Sequence, residues 1–280
     1  MRIANLSGRL VVVADDRAVD VETASEGRFS SAPQDVYARW EEFRAWAAEA
    51  ELGDGVPFDP ENLGAPAPAP RQLFAIGLNY REHVAETGFA TPTEVPSVFT
   101  KFATCLTGPI TEVRLPVGGH TDWEVELVVV IGRMAYRVKE SDAWDHVAGL
   151  TVGQDLSERV TQLSGQPTQF SLGKSFPGFG PTGPALVTPN EFDDPDDLEL
   201  TTHLNGEEVQ RGRTRQMIYS VPALIARLSA FLPLLPGDVI FTGTPAGVGL
   251  GRSPQRWLAP GDRLVSRIAG VGELRQHFSG

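Results

Sequence analysis

The stretch His120-Thr-Asp-Trp-Glu-Val-Glu-Leu-Val-Val-Val-Ile-Gly132 carries the strongest structural signal in the chain. Its apolar, β-branched second half ends at a glycine and predicts a buried strand. Because side chains at i and i+2 of a strand share a face, Glu124 and Glu126 are expected to point the same way. Two such carboxylates repel each other unless a cation lies between them, and hard ions such as Mg²⁺ prefer oxygen ligands. The pair therefore indicates either a metal site or a solvated strand end.

The composition argues against several classes of protein. The 280 residues have a formal net charge of −12 and no Lys/Arg cluster, which argues against binding to nucleic acid or to an anionic membrane surface. The single cysteine, Cys105, excludes a disulfide framework and a thiolate zinc site. The early apolar run 10–14 is too short for a signal peptide, and no segment has transmembrane length. We therefore expect a soluble cytoplasmic protein.

The N-terminal part is predicted to form a small α+β domain. Residues 1–22 indicate short strands, and apolar residues recur at helical spacing over 34–51. The stretch 60–70 alternates Pro and Ala, which predicts a stiff extended linker. We therefore predict two domains, 1–68 and 69–280.

The predicted large domain is rich in strands and punctuated by glycine and proline. Asn205-Gly206 between two alternating stretches is a strong hairpin signal. Further strands are predicted at 73–77, 110–115, 123–131, 149–155, 239–242 and 262–268, with helices at 141–147 and 219–232. Alternating β-α units are missing from the pattern. The chain is therefore predicted to be α+β and mainly β, with an antiparallel roll or distorted barrel as its large domain.

A third carboxylate, Asp155, follows the apolar stretch 149–154 and would project from the end of that strand. With the glutamate pair it could complete a Glu-x-Glu…Asp oxygen triad that leaves positions for water and substrate. An Asp at a strand end is also typical of a turn or helix cap, and Ser157-Glu158 would fit that interpretation. The residues alone leave both interpretations open.

His83 and Glu86 lie three residues apart, and therefore on one face of a predicted helix that starts near Asn79. A carboxylate beside an imidazole orients the ring and raises its basicity, as a general base requires. The same spacing is common in ordinary surface ion pairs.

Two loops carry further candidate groups. Lys174 lies in the Gly/Pro-rich stretch 173–184, where a lysine can hold a carboxylate or a developing oxyanion, or can simply be solvated. In the stretch 241–249, closely spaced glycines let backbone N–H groups and the Thr244 hydroxyl approach an anionic ligand. A tight turn requires glycines just as much.

Five segments, taken in order, resemble the fumarylacetoacetate hydrolase family. They are Gly77-Leu-Asn-Tyr-Arg-Glu-His83, Glu124-Val-Glu126, Gln154-Asp-Leu-Ser-Glu-Arg159, Gly173-Lys-Ser-Phe176 and Thr242-Gly-Thr-Pro-Ala-Gly-Val-Gly249. They span most of the large domain, and the first 68 residues resemble the family's small, variable N-terminal domain. The resemblance implies the family's mixed β-roll, usually as a homodimer.

The resemblance also implies roles for individual residues. The ligands of a Mg²⁺ or Mn²⁺ ion would be Glu124, Glu126 and Asp155. His83 and Glu86 would form a water-activating dyad on a lid-like segment over 79–95, with Lys174 as electrostatic partner. Substrate contacts would come from Tyr80, Gln154, Arg159 and Thr244. Val160 and Phe170 depart from the family's usual Asp and Trp at those places. Both departures concern the pocket wall and leave the substrate's identity open.

These assignments favour hydrolysis of a carbon–carbon bond in a 2,4-dioxo acid, either an acylpyruvate or a diketo-deoxy sugar acid. His83 would deprotonate a water that attacks the C4 carbonyl, and Lys174 would stabilise the oxyanion. Cleavage would release pyruvate and a carboxylic acid. Because the protein is strongly acidic, binding of a small anionic substrate requires a local positive centre such as the metal ion.

Three alternatives remain open at this stage. Oxaloacetate decarboxylation, or isomerisation or hydration of a 2-oxo-alkenoic acid, would use the same site without an attacking water. A cupin-like site of His120, Glu124 and Glu126 would lack the paired His-x-His that such sites normally show. The non-catalytic alternative is a binding module in which the ion only stabilises the fold.

Overall fold

The computed structural model describes residues 1–88 and 94–280. Residues 89–93 of the predicted lid-like segment 79–95 therefore lie outside the described residues. The strands are β1 (Arg2–Leu6), β2 (Arg9–Ala14), β3 (Arg17–Asp20), β4 (Val56–Pro57), β5 (Leu63–Gly64), β6 (Leu73–Gly77), β7 (Ser97–Thr100), β8 (Leu106–Thr107), β9 (Ile110–Arg114), β10 (Thr121–Asp122), β11 (Val125–Ile131), β12 (Val147–Gln154), β13 (Ser157–Glu158), β14 (Gly180–Val187), β15 (Glu199–Leu204), β16 (Glu207–Arg213), β17 (Val239–Phe241), β18 (Arg263–Ile268) and β19 (Gly272–Ser279).

The helices contain fewer residues in total than the strands. The α-helices are α1 (Val21–Ala24), α2 (Trp40–Glu49), α3 (Arg81–Thr87), α4 (Arg159–Gln162) and α5 (Val221–Ser229). Short 3₁₀ helices cover Asp35–Arg39, Pro60–Asn62, Ala103–Cys105, Glu140–His146, Pro189–Glu191 and Thr214–Gln216. No helix within the described ranges is long and apolar enough to cross a membrane.

Two sheets and one short ladder organise the molecule. The larger sheet has the strand order β4-β3-β2-β1-β14-β12-β11-β17-β6-β7, and the smaller one has the order β16-β15-β18-β19-β9. Most pairs are antiparallel, but β17 runs parallel to β6, β19 runs parallel to β9 and β14 runs parallel to β8. The ladder joins β10 to β13 next to the functional site described below. The predicted α+β, mainly β fold is confirmed.

Strand β11 is buried along its whole length. Leu127 and Ile131 pack into the apolar cluster that contains α5, whereas Val128 and Val130 pack into the cluster that contains α2. Both faces of the strand are therefore covered, which explains why its sequence is apolar without alternation. The buried strand expected in this part of the chain is confirmed.

The N-terminal segment joins the larger sheet directly, because β1 pairs with β14. The stretch 60–70, predicted as an extended linker, instead contains β5 and the buried residues Ala65 and Ala67. Alternating Pro and Ala shows neither strand nor helix periodicity, so burial there is invisible in the sequence. The domain boundary near residue 68 stays a prediction.

The sequence pattern misses several strands, of which β14 and β19 are the longest. β14 begins with Gly180-Pro-Thr-Gly-Pro184, a composition typical of a loop, yet it pairs with both β1 and β12. The ladder with β12 shifts register between Leu150 and Val152, and such an irregularity accommodates proline inside a sheet. The predicted hairpin is confirmed: Asn205 and Gly206 have φ of 52° and 87° and connect β15 to β16.

Candidate metal centre and active site

Glu124, Glu126 and Asp155 meet where β11 and β12 lie side by side. Val125 pairs with Gln154 across the two strands, and the backbone N–H of Asp155 donates to the carbonyl of Glu124 over 2.9 Å. One carboxylate oxygen from each of the three acids lies within 4.8 Å of the others. All three side chains are buried. The structure therefore brings together the three carboxylates that the sequence suggested as a triad.

Two of these carboxylates have cationic partners. Nζ of Lys174 donates to Oε2 of Glu124 over 2.6 Å and to Oδ2 of Asp155 over 2.7 Å. Arg159 donates to Oε1 of Glu124 over 2.8 Å. Burial opposes ionisation of Glu124, but the charges of Lys174, Arg159 and His83 outweigh it and lower the pKa of Glu124 to about 2. Glu124 is thus held as a carboxylate.

Glu126 differs because no ion pair reaches it among the described residues. Its Oε2 accepts a hydrogen bond of 2.7 Å from the backbone N–H of Gly243. Burial, together with the neighbouring charges of Asp155 and Glu124, raises the pKa of Glu126 well above its usual value. A buried carboxylate with two acidic neighbours and no cation fits a divalent metal ion, which prefers such oxygen ligands.

Asp155 is also paired with a second lysine, Lys101, that sequence reasoning missed. The Nζ of Lys101 donates to Oδ1 of Asp155 over 2.6 Å and to the carbonyl oxygens of Phe179, at 3.1 Å, and Lys174. All three ammonium protons are therefore used, and the side chain is fully buried. Lys101 comes from just beyond β7, and nothing in its own sequence neighbourhood indicates this role.

A second missed residue is Asp122, the strongest partner of Arg159. Its Oδ2 accepts from Nε of Arg159 over 2.9 Å and from Nη2 over 2.6 Å. Nη1 of the same guanidinium donates to Oε1 of Gln162 over 2.8 Å. Asp122 precedes Glu124 by two residues, so continuing the Glu-x-Glu alternation backwards would have found it. Arg159 is thereby held in one orientation beside the triad.

His83 and Glu86 are in contact on α3, as their spacing predicts. Nδ1 of His83 lies 2.8 Å from Oε1 of Glu86, and Oε2 of Glu86 accepts from the backbone N–H of Gly247 over 2.9 Å. A carboxylate at Nδ1 favours the tautomer with hydrogen on Nδ1, which leaves Nε2 as a proton acceptor. His83 is buried and lines the same cavity as Glu124 and Glu126.

Asn79 fixes the point at which β6 turns into α3. Its Nδ2 donates to the carbonyl oxygens of Tyr219, at 3.0 Å, and Thr242, at 2.7 Å. Its Oδ1 accepts from the backbone N–H of Tyr219 over 2.8 Å. The helix that carries His83 is thus tied to the start of α5 and to the end of β17.

The glycine-rich loop 242–249 donates hydrogen bonds to the protein's own acids. Its backbone N–H groups donate to three carboxylates: Gly243 to Glu126, Gly247 to Glu86 and Gly249 to Asp122. These three N–H groups thus bind the protein's own carboxylates, whereas the sequence had suggested an anionic ligand for such groups. The loop orients one member of the triad, one member of the dyad and the partner of Arg159.

The cavity at this site has a volume of about 30 Å³, room for one or two waters. It is lined by Ile76, Gly77, Leu78, His83, Thr87, Phe99, Glu124, Glu126, Arg159, Gln162, Leu163, Phe170, Lys174, Thr244 and Leu250. Arg159, Thr244 and Lys174 are thus placed where sequence reasoning expected them.

Two of the expected substrate-contacting residues do not line this cavity in the described part of the chain. Gln154 is fully buried; its Oε1 accepts from the backbone N–H of Glu124 over 2.9 Å, and its Nε2 donates to Ser266 over 2.7 Å. Tyr80 is buried in the apolar cluster that contains α5. Gln154 therefore acts on Glu124 and not directly on the cavity.

The sequence matches the family model described as fumarylacetoacetate (FAA) hydrolase C-terminal over residues 72–279. The chain belongs to the fumarylacetoacetate hydrolase family. Its membership makes it an enzyme of a family with hydrolase, isomerase and tautomerase members. The match covers the triad, the dyad and Lys174 together.

Two curated relatives represent two different reactions. The mitochondrial oxaloacetate tautomerase FAHD2A of Homo sapiens is 44% identical over 211 residues, which are 75% of this chain and 67% of the relative. The 2,4-didehydro-3-deoxy-L-rhamnonate hydrolase of Sphingomonas sp. (strain SKA58) is 44% identical over 234 residues, 83% of this chain and 80% of the relative. Fumarylacetoacetate hydrolase family members at this level of similarity thus divide between hydrolysis and tautomerisation.

Solved structures share the whole fold. The Mycobacterium smegmatis chain named HpcE is 54% identical, with a TM-score of 0.96 and coverage of 100% of this chain and 99% of that one. Maleylpyruvate hydrolase of Sphingobium sp. SYK-6, in complex with manganese(II) and pyruvate, is 27% identical, with a TM-score of 0.80 and full coverage of both chains. A member of this fold family therefore binds Mn²⁺ together with a keto acid.

Proposed function

We propose that this protein is a metal-dependent hydrolase that cleaves a carbon–carbon bond in a 2,4-dioxo acid and releases pyruvate and a carboxylic acid. The proposed metal ligands are Glu124, Glu126 and Asp155, with Mg²⁺ or Mn²⁺ as the ion. We further propose that it works in the cytoplasm as a homodimer. The observation that carries the proposal is the contact of His83 with Glu86, beside the cavity that His83 lines together with Glu124 and Glu126.

The dyad supplies what hydrolysis requires and simple metal storage does not. Glu86 is fixed by the N–H of Gly247, so it holds the His83 ring with Nε2 free to accept a proton from water. A general base of this kind contributes about 10²–10⁴-fold to a rate. A module in which an ion only stabilises the fold has no need of a buried, oriented imidazole beside it.

Lys174 is proposed to stabilise the oxyanion that forms when water adds to the C4 carbonyl. Its ammonium uses two protons on Glu124 and Asp155, which leaves the third for a substrate oxygen. Arg159, held by Asp122, supplies a second fixed positive charge in the cavity. A bound divalent ion would add Lewis-acid polarisation of the 2-oxo group.

Tautomerisation of oxaloacetate is the second candidate. It needs a base that takes a proton from C3 and returns it to oxygen, and an oriented His83 can do both. The relationship to the human tautomerase favours this candidate, whereas the relationship to the 2,4-didehydro-3-deoxy-L-rhamnonate hydrolase favours hydrolysis. Decarboxylation and 2-oxo-alkenoate isomerisation or hydration would use the same groups.

Product analysis separates these candidates. The protein with added Mg²⁺ or Mn²⁺ would be given acetylpyruvate and, separately, oxaloacetate. Acetate and pyruvate in equal amounts from acetylpyruvate are expected of the hydrolase. Accelerated loss of enol absorbance from oxaloacetate, with no pyruvate formed and no cleavage of acetylpyruvate, would replace the proposal by the tautomerase.

A further inference from the structure

Leu78 has a left-handed backbone conformation, with φ of 59°. The other described non-glycine residues with positive φ are all exposed and polar or charged: Ser7, Asp15, Glu26, Arg137 and Asn205. Leu78 alone among them is partly buried, and its side chain lines the cavity that contains His83. A leucine in this conformation is strained, whereas glycine would adopt it freely.

The surroundings of Leu78 force this conformation. Gly77 ends β6 and pairs with Ser97, and Asn79 is held by three side-chain hydrogen bonds to Tyr219 and Thr242. The chain must therefore turn at Leu78 between two fixed neighbours. Strain of this kind persists where the structure over-determines it, and such positions cluster at functional sites. A glycine would relieve the strain, so the leucine side chain itself is the feature that requires an explanation.

Three other apolar side chains line the cavity without being fully buried. Leu163 follows α4 and is 41% exposed, Phe170 lies further along the same segment, and Leu250 follows the glycine-rich loop. With Leu78 they come from three separate parts of the chain. Apolar groups that are half-exposed at a cavity gain contacts when an apolar ligand covers them. We call these four residues the apolar wall.

We propose that Leu78 is a specificity-determining residue, and that the apolar wall receives an alkyl substituent of a 2-oxo acid in preference to a hydroxylated one. This inference rests on the proposed function, because it assumes that the carboxylate and oxo group lie at the triad. Each buried methylene is worth about fourfold in affinity. A hydroxyl against the same wall would lose its bonds to water without replacement.

The test measures binding and not turnover, so that it does not depend on which reaction is catalysed. Isothermal titration of the Mn²⁺-loaded protein would compare pyruvate, 2-oxohexanoate and 4,5,6-trihydroxy-2-oxohexanoate, which lack a 4-oxo group. We expect 2-oxohexanoate to bind at least tenfold more tightly than pyruvate or the trihydroxy acid. Equal affinities, or tighter binding of the trihydroxy acid, would overturn the inference.

Leu78→Gly isolates the side chain. It relieves the strained backbone, so the variant should fold with a melting temperature close to that of the wild type. The ratio of its affinity for 2-oxohexanoate to its affinity for the trihydroxy acid should nevertheless fall at least threefold. Leu78→Asn is the second variant, because asparagine tolerates this conformation and adds a polar group. Glu26→Gly is the matched control, since Glu26 has φ of 53° and is exposed away from the cavity.

The outcomes are distinguishable. If both Leu78 variants keep the wild-type preference for 2-oxohexanoate, the assignment of Leu78 as a specificity-determining residue is refuted. If the protein prefers alkyl 2-oxo acids but cleaves no 2,4-dioxo acid, the proposed hydrolase activity is refuted, whereas the role of the apolar wall in binding is supported.

Discussion

The backbone N–H of Gly243 donates to Oε2 of Glu126 over 2.7 Å, whereas the two other carboxylates of the triad are paired with lysine or arginine. Among the described residues, Glu126 is therefore the one acid of the triad without a cationic partner. The raised pKa of Glu126 has the same origin: burial first, then the charges of Asp155 and Glu124. This asymmetry identifies the acid on which metal binding depends most.

Replacing Glu126→Gln should separate metal binding from folding. Because its pKa is raised, the Glu126 carboxyl must take up a proton on folding at neutral pH, whereas glutamine needs none. The replacement is therefore expected to stabilise the metal-free protein by about 1–3 kcal/mol. In EDTA the variant should melt a few degrees above the wild type. Mn²⁺ should raise the melting temperature of the wild type but not of the variant, as measured by scanning fluorimetry.

Glu112→Gln is the matched control, because Glu112 is exposed on β9. It should respond to Mn²⁺ like the wild type. A Glu126→Gln protein that gains as much from Mn²⁺ as the wild type would show that Glu126 is not a ligand.

Gly243→Ala should destabilise the protein strongly. Gly243 has φ of 101°, and an added Cβ would lie 2.7 Å from Cβ of Asn79. Both the backbone strain and the overlap oppose folding, so we expect a loss of at least about 2 kcal/mol, measured by guanidinium unfolding. Gly8→Ala is the control, because Gly8 has φ of 82° and no heavy atom within 4 Å of the built Cβ. If both variants lose the same free energy of unfolding, the overlap with Asn79 does not contribute to the destabilisation.

His83→Ala should reduce hydrolysis of acetylpyruvate by at least about 10²-fold, since the general base is lost. The affinity for Mn²⁺, measured by isothermal titration, should stay near that of the wild type, because His83 is not among the three acids of the triad. His277→Ala provides an exposed control and should keep full activity. Wild-type hydrolytic rates in His83→Ala would refute the dyad.

Cys105 should be unreactive in the native protein. It is fully buried, and burial raises the pKa of its thiol. A raised pKa means that a smaller fraction is thiolate at any given pH, and the thiolate is the reactive form. The disulfide reagent DTNB at pH 8 should label Cys105 rapidly in guanidinium and very slowly in buffer. Rapid labelling in buffer would reveal local opening around the short helix Ala103–Cys105.

The sequence predicts most reliably those features that depend on residues close together in the chain. The run 127–131, the hairpin at Asn205-Gly206 and the contact of His83 with Glu86 all depend on neighbours a few residues apart. It failed at β14, because proline and glycine are depleted in strands and only pairing with β1 and β12 makes this segment a strand. The buried position of Gln154 was likewise invisible in the sequence, because its Nε2 donates to Ser266, more than a hundred residues away.

Strand periodicity placed Glu124 and Glu126 on one face, since alternation is a property of the backbone alone. Which group binds which carboxylate depends on segments that are distant in sequence. Lys101 comes from beyond β7, Lys174 from the loop before β14, and the backbone N–H of Gly243 from the end of β17. These contacts depend on the register and order of the sheet, which local patterns do not encode. The triad could therefore be recognised in the sequence, whereas only the tertiary packing shows which of its acids lacks a cationic partner.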